Sequence, residues 1–79
     1  MKIIYSRHAS YKMGKRGISE GDIKEAIVKG QRRWLQSRDT VKCIYTKNGK
    51  ELVVIYKQNR ENYKVITTYY KDANENNLR

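Results

Sequence analysis

The sequence has no phenylalanine, one cysteine, one histidine and one tryptophan, and its 8 acidic residues are few beside 18 lysines and arginines. A lone Cys43 excludes an internal disulfide and a cysteine-rich zinc site, and it fits a reducing, cytoplasmic setting. No apolar run approaches the roughly 18–20 residues of a membrane span. The opening Met1-Lys2-Ile3-Ile4-Tyr5-Ser6-Arg7 holds too few apolar side chains for a signal peptide. No Walker loop, no pair of catalytic carboxylates and no cluster with metal-ligand spacing occurs, so no cofactor and no metal is expected. A length of 79 residues allows one small domain and excludes a cleft between two. No internal repeat or linker interrupts it.

What is present is positive charge. The net charge is +10 at pH 7, beyond the magnitude of roughly 2–8 that keeps a small domain soluble. Such an excess points to an anionic partner, with nucleic acid foremost. A membrane surface is not expected, because no basic amphipathic helix with large apolar anchors appears. Residues 1–38 carry ten basic and three acidic groups, and residues 39–79 carry eight and five. Seven tyrosines cannot all lie deep in so small a core. Some belong at its margin, or on a surface where rings stack on bases.

Patterning supplies the elements. Lys2 to Tyr5 reads as a short strand. Ser6 is an N-cap for a helix from Arg7 to about Arg16, which Gly17 ends. On that helix Ala9 and Met13 share one face, while His8, Lys12 and Lys15 share another with Arg16 at its border. Ser19-Glu20-Gly21-Asp22 has the spacing of a capping box, and Ile18 with Ile23 makes a hydrophobic staple. Ile23, Ala26 and Ile27 form the apolar stripe of this second helix, which ends at Gly30. Gln31 to Arg38 reads as a short strand or a loop.

From Val41 the period becomes two. Asn48-Gly49 is a two-residue hairpin turn. It pairs Tyr45 with Leu52, Cys43 with Val54 and Val41 with Tyr56, on a face that packs against the helices. Lys42, Ile44, Val53, Ile55 and Lys57 take the other face. A last strand, Tyr63 to Tyr70, follows a turn at residues 59–62. An even loop there directs Tyr63, Val65, Thr67 and Tyr69 to the helices, and Lys64, Ile66, Thr68 and Tyr70 outward. Residues 73–79 read as a frayed polar tail. The expected domain is therefore residues 1–72, an α+β fold of order β-α-α-β-β-β with a further strand optional. Two helices pack on one face of a small antiparallel sheet.

His8-Ala9, Met13 and Arg16-Gly17-Ile18-Ser19, with Asp22-Ile23 and Ala26 after them, resemble the opening of a family of small prokaryotic proteins. Its members begin His-Ala-x-x-Arg-Met-x-x-Arg-Gly-Ile-Ser, and Val65-Ile66-Thr67-Thr68-Tyr69 resembles their last strand. That family is placed near the RelE and BrnT toxins. The resemblance covers residues 3–72. It implies a RelE-like fold, a metal-independent endoribonuclease of a toxin–antitoxin system, and an acidic antitoxin-like partner. Lys12 departs from the family's arginine and loses a planar bidentate phosphate contact.

Candidate site residues follow from chemistry. Metal-free RNA cleavage needs a base for the 2′-hydroxyl, cations for the phosphate and an acid for the leaving oxygen. His8 suits proton transfer near neutrality; it equally suits a backbone hydrogen bond at the helix start. Arg16 serves either the transition-state phosphate or the helix C-terminus. Tyr69 is a phosphate-orienting group or acid, as the resemblance implies, or a half-buried sheet aromatic. Lys12 and Lys15 are phosphate contacts.

Arg32, Arg33 and Trp34 can hold a strand and stack a base; otherwise Trp34 plugs the core. Lys42, Lys57 and Lys64 either bind an anion together or protect an edge. Ile44, Val53, Ile55 and Ile66 among them suit an antitoxin-like protein, or a second core. Cys43 reads as a buried structural thiol. The alternatives to a nuclease are a non-catalytic nucleic-acid-binding module and an interaction module for an acidic protein.

Overall fold

A computed structural model describes residues 1–35 and 39–72. The expected tail and residues 36–38 of the expected strand or loop lie outside them. The element order is β1 (Lys2–Tyr5), α1 (Arg7–Arg16), α2 (Glu20–Lys29), β2 (Gln31–Trp34), β3 (Thr40–Lys47), β4 (Lys50–Asn59) and β5 (Asn62–Asp72). The strands form one sheet in the order β1-β5-β4-β3-β2.

Both helices begin and end where the chemistry of their caps dictates. Ser6 Oγ accepts the Ala9 N–H at 3.0 Å, and Gly17 closes α1 in the left-handed region at φ 69°. A side chain there would be strained, which is why glycine stands at the stop. Ser19 and Asp22 form the reciprocal capping box, each side chain accepting the other's N–H at 3.0 Å. Donation from the Ser19 N–H, with the Ser19 hydroxyl beside it, holds the Asp22 carboxyl below the usual carboxylate range. Gly30 is needed for space rather than for φ. A Cβ there would come within 2.5 Å of the Ala26 carbonyl oxygen, 2.7 Å of Cys43 Sγ and 2.8 Å of the Ile44 carbonyl oxygen. The end of α2 is thus pressed onto β3.

The hairpin has the register the Asn48-Gly49 turn dictates: Tyr45 opposes Leu52, Cys43 opposes Val54 and Val41 opposes Tyr56. These side chains, with Ala9, Met13, Ile18, Ile23, Ala26, Ile27 and Val65, make the core between helices and sheet. Cys43 is buried in it, and its thiol donates to the Ala26 carbonyl at 2.8 Å. Burial pushes the thiol's pKa up, so it is no thiolate nucleophile.

Two expectations need correction. The sheet is mixed, not antiparallel, because β1 runs parallel to β5, with Lys2–Tyr5 opposite Asn62–Val65. A strand separated from its partner by both helices and three strands has no hairpin to force it antiparallel. The second correction concerns β5. Tyr56 opposes Val65, but Ile55 opposes Thr67, so Ile66 is the extra residue of a β-bulge. Beyond it the parity reverses. Thr68 and Tyr70 oppose Val54 and Leu52 on the helix side, and Thr67 and Tyr69 oppose Ile55 and Val53 on the other. The expected directions of Thr67, Thr68, Tyr69 and Tyr70 are each inverted.

Candidate nucleic-acid interface

No described helix packs on the sheet face opposite the core. Its residues are fixed by strand alternation. The β4–β5 turn sets Lys57 directly opposite Lys64. The pairing of β2 with β3 sets Arg33 directly opposite Lys42. Neighbouring strands lie about 4.8 Å apart, and like charges directly opposite one another destabilise a sheet. Lys42 lies diagonally from Lys57, since their partners Ile55 and Thr40 are each two residues away along the strand.

Among the described residues no carboxylate comes within 4.0 Å of any of these four cations; the ion pairs present both belong to Glu25. Between the two cationic pairs and the hairpin runs a row of Ile44, Val53 and Tyr69 in register. The face thus presents two like-charged pairs beside half-buried Ile44 and Tyr69, with Val53 buried between these two.

The sheet edge adds a second group. Arg32 opposes Cys43 and Trp34 opposes Val41, so both project on the helix side of β2, while Arg33 projects with Lys42. Every residue of β2 is exposed. Trp34 is 57 % exposed and not a core plug. Arg32-Arg33-Trp34 therefore places one arginine on each side of the edge, with the indole accessible.

The α1 residues form a separate group. Ser6 ties the helix start to β5: its N–H donates to the Val65 carbonyl at 2.9 Å and its Oγ to the Ile66 carbonyl at 2.8 Å. His8 is exposed in the first turn and makes no hydrogen bond to another side chain or to backbone outside the helix, among the described residues. Lys12 follows one turn later and Lys15 near the helix end, in line with it. Lys15 Nζ stands 5.7 Å from the centre of the Tyr11 ring.

Arg16 is exposed at the last turn. Eight residues at about 1.5 Å rise set it about 12 Å from His8 along the axis. Tyr69 belongs to the sheet face turned away from the core. The proposed trio of His8, Arg16 and Tyr69 is therefore spread over two surfaces rather than gathered in a pocket.

Two features escaped sequence reasoning. The opposition of Arg33 and Lys42 depends on β2 being a strand in one particular register, which a four-residue exposed segment does not announce. The bulge left no mark in composition, because Thr67-Thr68-Tyr69-Tyr70 exchanges threonine for threonine and tyrosine for tyrosine on a one-residue slip. The signal that existed was Ser6, whose hydroxyl serves the cap and the bulge together.

These observations define a small α+β protein: two helices cover one face of a five-stranded mixed sheet, and the other face is basic. The chain belongs to the family described as Domain of unknown function (DUF4258), whose model matches residues 5–70. No curated protein and no solved structure matches it. Among the described residues no helix is long and apolar enough to cross a membrane, and no three His, Cys, Asp or Glu side chains converge as metal ligands.

Proposed function

We propose that this protein binds single-stranded RNA by its phosphate backbone, with the basic face of the sheet as the interface. The observation that carries the reading is the pair of like-charged oppositions, Lys57 with Lys64 and Arg33 with Lys42. Free protein bears their repulsion; a polyanion removes it. An open sheet face suits single strands better than a duplex groove, and Tyr69 offers a ring for a base on that face.

The test is a salt titration of binding to a short single-stranded RNA. Each phosphate neutralised adds about 0.7 to the slope of log K against log[salt] on a single strand, so four contacts give about −2.8. The double substitution Lys57→Ala, Lys64→Ala lowers the slope to about −1.4. A flat salt dependence sinks the reading and points instead to the apolar residues of the face and a protein partner.

A second reading extends this to cleavage, as a toxin-like endoribonuclease needing no metal. It is favoured by His8, an exposed imidazole in line with Lys12 and Lys15. His8 removes the proton of a 2′-hydroxyl, whose oxygen attacks the adjacent phosphorus. The 5′-oxygen leaves and takes up a proton, giving a 2′,3′-cyclic phosphate and a 5′-hydroxyl. Lys12 and Arg16 hold phosphates along the strand. Incubation with RNA in EDTA measures this directly. Cyclic-phosphate ends from the native protein, lost with His8→Ala while RNA binding persists, are the expected result. Equal cleavage by His8→Ala removes His8 from the chemistry.

A further inference from the structure

We infer that the groove between α2 and the β3–β4 hairpin is a nucleobase site that prefers guanine. The groove encloses about 350 Å³, at the small end of ligand-sized clefts. Its base is one row of the sheet: Tyr45 and Tyr70 stand on either side of Leu52 in register. Leu52 is buried, and both tyrosines are half-buried at the margin of the core. This floor is apolar and aromatic, suited to the face of a planar ring.

Across it, Asp22 and Glu25 reach in from α2, one turn apart, and Lys47 and Lys50 stand at the hairpin mouth. Lys47 Nζ donates to Glu25 Oε1 at 3.2 Å, Lys29 Nζ stands 3.6 Å from Glu25 Oε2, and each of these oxygens keeps a further lone pair for a donor; Lys50 Nζ lies 5.7 Å from the centre of the Tyr70 ring. Among the described residues no such cation stands over the second ring, Tyr45.

The lining selects its ligand by elimination. Ionised carboxylates only accept hydrogen bonds, so the edge facing Asp22 and Glu25 must consist of donors. Asp22 gives Oδ2 to the Ser19 N–H and keeps Oδ1 for a ligand. Guanine offers two adjacent donors, N1–H and the 2-amino group. Adenine and cytosine set a ring acceptor beside their amino group, which would face the carboxylate lone pairs. Uracil has one donor between two carbonyls. The two ammonium groups at the mouth then match the phosphate that a nucleotide carries on its ribose. Base on Tyr45 and Leu52, edge to the carboxylates and phosphate at the lysines match the floor, the acidic wall and the cationic mouth of the groove.

The natural ligand, a guanine within RNA, rests on the proposed reading, but the site is testable apart from it. The probes are guanosine, adenosine, cytidine and uridine 5′-monophosphates and inorganic phosphate, titrated into the intact protein by calorimetry. Guanosine monophosphate binds about tenfold tighter than the other three, within what a bidentate contact to a base edge supplies. Glu25→Gln, partly exposed and nearly isosteric, abolishes that preference with unchanged circular dichroism. Lys50→Gln weakens all four nucleotides alike and keeps the preference. Lys57→Ala with Lys64→Ala leaves the guanine preference as it was, so a failure of the sheet-face reading is distinguished from a failure here. Equal affinity for the four nucleotides, phosphate binding as tightly as guanosine monophosphate, or a preference that survives Glu25→Gln overturns the inference.

Discussion

The two faces of the sheet are built from the same strands and obey opposite rules. On one, Val41, Cys43, Leu52, Val54, Tyr56 and Val65 are all buried beneath the helices. On the other, the residues between them bring Arg33 against Lys42 and Lys57 against Lys64. The core face gains from each methylene removed from water, at roughly 25 cal/mol per Å². The basic face carries repulsion that a carboxylate at any one of four positions would relieve. A chain that places twelve apolar residues in its core cluster meets the needs of folding on one side. The like-charged pairs on the other side are not what that core requires.

The sharpest way to break the core face is Gly30→Ala. The added methyl meets two carbonyl oxygens and the Cys43 sulfur at 2.5–2.8 Å. The two oxygens belong to backbone and cannot swing aside, so α2 must lift from β3. The expected loss is about 3 kcal/mol, the upper range of overpacking, read from the urea midpoint. RNA binding by whatever protein remains folded should be unchanged, since no cation of the opposite face moves.

Next in size is Ser6→Ala. One hydroxyl both accepts from Ala9 N and donates to the Ile66 carbonyl. The expected cost is about 1–2 kcal/mol, the upper part of the range for loss of an N-cap. The informative readout is local. Faster amide exchange at Thr67 to Tyr69 than elsewhere in β5 would show that the hydroxyl pins the bulge; uniform change would leave it as a cap alone.

That tether also marks the limit of what the sequence discloses. The helices and the hairpin were legible because their signals are local. Ser6, Ser19-Asp22, Gly17, Gly30 and Asn48-Gly49 each act within a few residues, and the core follows from them by periodicity. The parallel pairing of β1 and the bulge at Ile66 are long-range. Ser6 and Ile66 are 60 positions apart, and nothing near either residue announces the other. The candidate site divides in the same way. Lys57 and Lys64 flank one short turn and could be paired in advance. Arg33 against Lys42 awaited β2, and the direction of Tyr69 awaited the bulge.

The smallest effect is the most discriminating, because its sign is unusual. Lys57→Gln removes one member of a like-charged pair that faces solvent. Directly opposed cross-strand pairs contribute roughly 0.2–1 kcal/mol, so the free protein should gain a few tenths of a kcal/mol in stability. The gain should shrink as salt screens the repulsion, over a Debye length of about 10 Å at 0.1 M. In the same variant RNA affinity should fall and the salt slope should flatten by about 0.7. A substitution that stabilises the fold while weakening the complex separates a binding surface from a solubility device. If charge served only solubility, Lys57→Gln would leave RNA affinity alone. If the lysines were held by unseen partners within the fold, stability would drop. Only a face kept basic for a polyanion moves the two measurements in opposite directions.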